Sequence, residues 1–160
     1  MAKVQLRNIG NKFARYQKKL IMNLKQAYLD TDHQVQTNNK TLHIRAEQRN
    51  REVDEHLNGY ETWAYITAWN PDSQDLTASD NAHRNQQLET ALEKKQFPYF
   101  HGQGVPKTDD WQPEASFLVL GISKQAAKAF GKRFEQRAIV WGRRGEVSEL
   151  IPCLREGFEN

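Results

Sequence analysis

The sequence predicts one α+β domain preceded by a basic helix, and three observations lead to this prediction. Short runs of aromatic and β-branched residues, typical of buried strands, alternate with segments whose apolar residues recur at helical spacing. Gly, Pro and Asn separate these segments. The chain of 160 residues is long enough for one domain with a substantial core. We predict the domain at residues 30–152, the helix at 1–29 and a tail at 153–160.

The N-terminal segment is distinguished by its charge. Residues 1–29 contain seven Lys or Arg and no Asp or Glu, and their apolar residues recur at steps of three and four. This pattern predicts an amphipathic basic helix. It is open whether the helix packs on the domain, contacts nucleic acid or an anionic surface, or is a targeting peptide. The candidate nucleic-acid-binding residues are Lys12, Arg15, Lys18, Lys19 and Lys25.

A hairpin and a short helix are predicted next. Residues 33–37 and 41–45 alternate between apolar and polar side chains around the turn signal Asn38-Asn39-Lys40. Residues 46–57 are rich in Glu, Gln and Arg and are predicted to form a short exposed helix. Asn58-Gly59 is a common helix stop.

The most apolar strand is predicted from Tyr60 to Trp69. It is aromatic and β-branched almost throughout, as expected of a strand covered on both faces. Pro71 lacks an N–H group and disfavours helical geometry at Asn70, so the strand should end there. A helix follows to about Lys95, and its N-cap is Thr77, Ser79 or Asp80.

The second half of the chain repeats this alternation. The predicted order is a strand from Phe97, a long ordered loop or irregular hairpin at 101–113 around Trp111, a buried strand at 115–122, a helix capped by Ser123, a strand at 138–141 and a hairpin partner at 146–151. From residue 60 the order is therefore β-α-β-β-α-β, which matches the ferredoxin-like pattern. We predict a mixed sheet with helices on one side.

Several classes of protein lack support in the sequence. No apolar run approaches the roughly 20 residues of a membrane span. The single cysteine, Cys153, excludes a cysteine-based metal site and is typical of a reducing, cytoplasmic protein. The five His lack zinc-binding spacing, and no phosphate-binding glycine motif is present. We therefore predict no metal and no cofactor.

Polar residues on the helix after Pro71 are the first candidates for a site. Asn81, Arg84 and Asn85 fall on the same helical face as Leu88 and Leu92, so they should point inward. Buried Asn and Arg side chains need hydrogen-bond partners, and the nearest by chain lie between residues 67 and 73. Two interpretations are open. The residues form a structural lock at this corner, or Arg84 and helix N–H groups hold a small polar or anionic ligand.

Glu114, immediately before the second buried strand, is the other candidate. Its carboxylate could form an ion pair with Arg84 if the two strands are neighbours. As a general base it would need a raised pKa and a substrate.

Four motifs in this chain resemble those of the DUF3293 family, a bacterial domain of unknown function. The motifs are T-A-W-N-P at 67–71, N-x-x-R-N at 81–85, E-A-S-F-L-V-L-G-I at 114–122 and F-E-Q-R-A-I-V-W at 134–141. The resemblance covers roughly residues 27–151. Family members usually carry E-P-S-F and F-G-Q-N-A, and this chain departs at Ala115, Glu135 and Arg137. The resemblance implies a ligand-binding set of Trp69, Asn70, Asn81, Arg84, Asn85, Glu114 and Gln136, but no established activity.

Three hypotheses for function follow. The first is a small cytosolic, non-catalytic protein that binds a polar or anionic ligand, or a protein partner, at the corner from Trp69 to Asn85. The second is an RNA- or ribosome-associated accessory protein, for which deleting residues 1–29 should abolish a salt-sensitive interaction. The third is a small hydrolase or transferase that uses Glu114 and Arg84. No catalytic motif favours an enzyme.

Overall fold

The described part of the chain contains four helices and seven strands. The computed structural model describes residues 24–107 and 112–154. Residues 24–30 belong to the first helix, α1. The elements that follow are β1 (Asp32–Gln36), β2 (Thr41–Ile44), α2 (Arg51–Asp54), β3 (Thr62–Ile66), a 3₁₀ turn (Pro71–Ser73), α3 (Ala78–Lys94), β4 (Tyr99–Val105), β5 (Glu114–Leu120), α4 (Lys124–Arg133), β6 (Ala138–Arg143) and β7 (Glu149–Pro152).

The seven strands form one sheet in the order β2-β1-β4-β5-β3-β6-β7. Each pair of neighbouring strands is antiparallel. The predicted α+β class is confirmed. The predicted mixed sheet is wrong, because no two hydrogen-bonded neighbours among these strands are parallel. The predicted ferredoxin-like topology is not confirmed, since the hairpin β1–β2 and strand β7 extend the sheet and its order differs.

Alternating side chains divide the sheet into two faces with separate cores. On the helix face, Ala64 and Ile66 of β3 pack with Phe117 and Val119 of β5 against α3 and α4. On the opposite face, Trp63 and Tyr65 pack with residues of β1, β2, β5, β6 and α2. The sheet curls around this second core, which lies on what we name the concave face.

The element boundaries differ from the predictions mainly at strand ends. The central strand β3 is shorter than predicted. Strand β4 runs to Val105 and pairs with β5, so of the two interpretations of residues 101–113 the hairpin is the one that forms. Helix α2 is a single turn, and β7 begins at Glu149. The predicted caps are confirmed, because Thr77 Oγ1 accepts from Asp80 N and Ser123 Oγ accepts from Ala126 N, both at 3.1 Å. Within the described residues no helix is both long and apolar enough to cross a bilayer.

Candidate functional site

Two buried asparagines of α3 fasten the corner that follows β3. Asn85 Oδ1 accepts from Ala68 N at 2.8 Å, and Asn85 Nδ2 donates to Ala115 O at 2.6 Å. Asn81 Oδ1 accepts from Asn70 N at 2.8 Å, and Asn81 Nδ2 donates to Asn70 Oδ1 at 2.7 Å. Both side chains are buried. Their amides therefore satisfy backbone groups that have left the sheet ladder.

Arg84 ties the same corner to the end of α4. Its Nε donates to Ala68 O at 2.9 Å and its Nη2 donates to Phe134 O at 2.7 Å. Its third contact is an ion pair with Glu135, at 3.7 Å. The guanidinium is thus occupied by protein carbonyls and a carboxylate. These contacts are those expected of the structural lock.

The ion pair between Arg84 and Glu114 that the sequence suggested is not formed. Glu114 falls on the concave face, because it is separated from the concave-face residue Leu118 by an even number of positions in β5. Arg84 belongs to α3, which packs on the helix face. The pairing of β3 with β5 therefore does not bring the side chains of Arg84 and Glu114 together. Glu114 lines a cavity to which Arg84 does not contribute.

A cavity of about 440 Å³ lies at one end of the concave face. Its walls come from five elements, namely α1, the start of β1, the end of β4 and the starts of β5 and β6, together with Tyr65 and the corner after β3. The antiparallel order places these at the same end of the sheet. Of the seven predicted binding residues, four line this cavity: Trp69, Asn70, Glu114 and Gln136. Asn81, Arg84 and Asn85 lie behind them and hold the corner.

Two glycines of β4 shape the floor of the cavity. At Gly102, a Cβ atom would lie 2.1 Å from Gln34 O and 2.9 Å from Tyr65 Oη. The missing side chain lets Tyr65 reach across β4 and donate to Gln34 O at 2.8 Å. At Gly104, which lines the cavity, a Cβ would meet nothing closer than 3.5 Å. The first glycine is therefore needed for packing, whereas at the second a Cβ would fit in ordinary van der Waals contact.

Glu114 is the carboxyl group of the cavity whose ionisation is most altered. Burial raises its pKa to about 7, and the nearby charge of Asp75 acts in the same direction. Asn70 Nδ2 donates to Glu114 Oε1 and to Asp75 Oδ1, each at 3.3 Å. Because Asn81 fixes the Asn70 amide from behind, the lock also sets the position of this donor.

His33 presents a second polar group with unfilled hydrogen-bonding capacity. Its side chain lines the cavity, is only 6% exposed, and its ring centroid lies 4.9 Å from that of Tyr65. Burial lowers its pKa to about 4, so the ring is neutral at pH 7. Its Nε2 atom has no hydrogen-bond partner among the described residues. Such buried, unpaired polar atoms are uncommon in proteins.

Gln136 connects the two halves of the site. Its Nε2 donates to Trp69 O at 3.1 Å and to Phe134 O at 3.2 Å. Glu135 and Arg137, the residues on either side of Gln136, differ from the family motif, and each forms an ion pair here. Glu135 pairs with Arg84, and Arg137 Nε lies 2.8 Å from Asp72 Oδ1. The departures are therefore accommodated by ion pairs at the corner.

Sequence reasoning missed His33, Tyr65 and Gly104. Two signals were available. Gly102 and Gly104 are two residues apart in β4 and so lie on the same face of the strand, and Tyr65 is two residues from Trp63 and so shares its inward-facing side of β3. Of the predicted nucleic-acid-binding residues, Lys12, Arg15, Lys18 and Lys19 lie outside the described residues. The fifth, Lys25, forms an ion pair with Glu47 at 3.1 Å.

Comparison with known proteins yields one match. Residues 66–139 match the model of a family described as protein of unknown function (DUF3293). No curated protein and no solved structure matches the chain. The matched segment runs from the end of β3 into β6 and contains all seven positions that the resemblance implied. It confirms the resemblance seen in the sequence motifs: this segment, a little under half of the chain, is similar to the DUF3293 family.

Proposed function

We propose that this protein is a non-catalytic binding protein whose small organic ligand occupies the cavity on the concave face. The observation that carries the proposal is the combination of a cavity of about 440 Å³ with two polar groups, the buried His33 and the partly buried Glu114, whose hydrogen-bonding capacity is not filled within the described residues. Ligand sites typically combine mostly apolar walls with a few polar groups that orient the ligand. The expected ligand therefore has an apolar body and at least one polar group.

Energetic cost supports the same proposal. A buried polar atom without a partner costs about 1–3 kcal/mol relative to one that is hydrogen-bonded. Among the described residues, His33 Nε2 has no partner and so bears this cost, while Glu114 accepts one hydrogen bond, at 3.3 Å, near the limit for such a bond. A ligand that bonded to both groups would recover this free energy on binding. Within the predicted set, the binding role falls to Trp69, Asn70, Glu114 and Gln136.

Blocking the cavity tests the proposal. Gly104→Leu adds a side chain at the cavity wall where a Cβ has room, so the fold should be retained while the space for a ligand is reduced. Gln103→Leu adds a similar side chain on the opposite face of the same strand and serves as the matched control. A library of small organic compounds would be screened against the wild type by saturation-transfer NMR, and the hits would be measured on both variants.

We expect hits that bind the wild type and Gln103→Leu and lose at least tenfold in affinity for Gly104→Leu. Hits that bind a folded Gly104→Leu protein as well as the wild type would contradict the proposed site. A library of adequate size without any hit on the wild type would contradict the proposed function itself.

The raised pKa of Glu114 favours one second candidate function, acid–base catalysis. A carboxyl group with a pKa of about 7 can take up or release a proton at neutral pH. The hydrolase or transferase hypothesis then rests on Glu114 without Arg84, whose donors are occupied. Incubating the NMR hits with wild type and with Glu114→Gln, and following product formation, separates a catalyst from a binding protein.

A further inference from the structure

Within the described part of the chain, Glu114 has no cationic partner. No ion pair within residues 24–107 and 112–154 involves it. The two arginines nearest in the corner are engaged elsewhere, Arg84 with Glu135 and Arg137 with Asp72. The hydrogen bond that Glu114 accepts among the described residues comes from Asn70, whose amide also donates to the carboxylate of Asp75. Both oxygens of Glu114 therefore retain capacity to accept hydrogen bonds.

The unpaired nitrogen of His33 is also an acceptor. A backbone hydrogen bond joins the imidazole to Tyr28, and the unpartnered ring atom is Nε2. The bonded atom is therefore Nδ1, and as a donor to a carbonyl it carries the ring proton. In this neutral tautomer Nε2 has a free lone pair. Two independent groups in the cavity thus need hydrogen-bond donors.

From this arrangement we infer that the ligand carries an organic cation, an amine or amidine attached to an apolar body, whose charged group lies against Glu114. The inference rests on the proposed binding function and names its ligand class. An ammonium group supplies several N–H donors and the positive charge that Glu114 lacks. Trp69, which also lines the cavity, offers an aromatic surface that attracts cations.

The other charged groups of the site are compatible with a cationic ligand. Asp75 adds a second negative charge beside Asn70, and Asp30 of α1 lines the cavity. Arg137, which also lines the cavity, forms an ion pair with Asp72, although the geometry leaves its buried Nε without a hydrogen bond among the described residues, and Lys107 is exposed to solvent. The remaining titratable groups that face the cavity are Tyr28, His33 and Tyr65. Burial holds these three in their neutral forms around pH 7.

Binding of a cation should release a proton. When the carboxyl group is protonated, the incoming ammonium favours the carboxylate, and the proton passes to solvent. With the pKa of Glu114 near 7, the ionised fraction falls about tenfold from pH 8 to pH 6. The affinity for a cation should fall by the same factor, whereas the affinity for a neutral ligand should change little.

Three probes of similar shape and different charge test the inference. They are 2-phenylethylamine, neutral 2-phenylethanol and anionic 3-phenylpropanoate, each measured by isothermal titration calorimetry at pH 6 and pH 8. We expect the amine to bind at least tenfold more tightly than the alcohol at pH 8 and to lose about tenfold at pH 6. Titrations in buffers of different ionisation heat should show close to one proton released per amine at pH 6.

Matched variants assign the effect to Glu114. Glu114→Gln should remove the preference for the amine over the alcohol, while Glu55→Gln, an exposed glutamate away from the cavity, should retain it. If Glu114→Gln does not fold, the proton-release measurement on the wild type still decides the question. Binding of the amine that ignores both pH and Glu114→Gln would overturn the inference, as would equal or tighter binding of the alcohol or the propanoate.

Failure of this inference differs from failure of the proposed function. If library compounds bind in the cavity by the Gly104→Leu criterion but cations are not favoured among them, the binding function stands and the ligand class is wrong. If the library gives no hits and none of the three probes binds, both are wrong.

Discussion

Glu114 links the cavity to the stability of the fold through a single ionisation. Burial raises its pKa from the ordinary value of 4.5 to about 7. The folded protein therefore keeps a proton that the unfolded chain releases between these two values. The stability contributed by this group is fully present below about pH 4.5 and is lost as the pH rises through about 7.

Replacing the carboxyl group by an amide should remove this pH dependence. Between pH 4.5 and pH 8, we expect the free energy of unfolding of Glu114→Gln to gain roughly 2–3 kcal/mol relative to the wild type. Urea unfolding at the two pH values measures the difference, and Glu55→Gln provides the control. A difference between variant and wild type that is the same at both pH values would show that Glu114 ionises normally.

At the residue scale, the sequence indicated which side chains are inward-facing but not what they contact. The spacing of Asn81, Arg84 and Asn85 predicted one buried face, and these side chains do reach the backbone of residues 68–70. The predicted ion pair of Glu114 with Arg84 does not form, because strand alternation and helix packing place the two side chains on opposite faces of the sheet. A one-residue shift in β5 register would reverse that outcome.

At the scale of elements, β4 shows how packing constraints differ between neighbouring positions of one strand. Gly102 has no room for a Cβ because the carbonyl of Gln34 and the hydroxyl of Tyr65 occupy that space, whereas Gly104 faces the cavity. Gly102→Ala should therefore disturb the pairing of β4 with β1 and lower the free energy of unfolding by roughly 1–3 kcal/mol. Gly104→Ala should change it by no more than about 0.5 kcal/mol.

Thermal and urea denaturation of the two alanine variants make the comparison. Both substitutions add the same methyl group to the same strand, so strand propensity is matched. Equal effects on stability would contradict the proposed crossing of Tyr65 over β4. Tyr65→Phe, which lacks the hydroxyl, should relieve part of the cost of Gly102→Ala.

The elements themselves were largely predictable, and β4 shows why some were not. Apolar periodicity and capping residues located α3, α4 and the buried strands, because these signals are local. Residues 101–105 contain two glycines and polar side chains, which indicate a loop. They form a strand because β1 and β5 hydrogen-bond to β4 from both sides. The cavity depends on five elements distant in sequence, so local patterns could not reveal it.

At the scale of the whole molecule, the two edges of the curled sheet are joined at one end. Strands β2 and β7 are the outermost of the seven, yet Arg49 after β2 forms an antiparallel bridge with Val147 before β7. Next to the bridge, Ser148 N donates to Gln48 O at 2.9 Å. The concave core is thus enclosed at this end.

Asn50 is the side chain that fastens this closure. It is buried, its Oδ1 accepts from Arg45 N at 2.9 Å, and its Nδ2 lies within 3.1 Å of Arg45 O, Gln48 O and Ser148 Oγ. Asn50→Leu would deprive Arg45 N of its acceptor and remove one of the hydrogen bonds of Arg45 O, Gln48 O and Ser148 Oγ, so it should lower the free energy of unfolding by roughly 1–3 kcal/mol. Gln48→Leu, whose side chain is exposed, should change it by no more than about 0.5 kcal/mol.

Hydrogen exchange distinguishes a joined sheet from two independent edges. If the bridge couples them, Asn50→Leu should increase amide exchange both in residues 45–50 and in β7, although β7 is about 100 positions away in sequence. Faster exchange confined to residues 45–50 would mean that β7 is held by β6 alone. Coupled exchange would instead mean that the curl of the sheet, and with it the width of the cavity, is maintained by contacts between the two edges of the sheet.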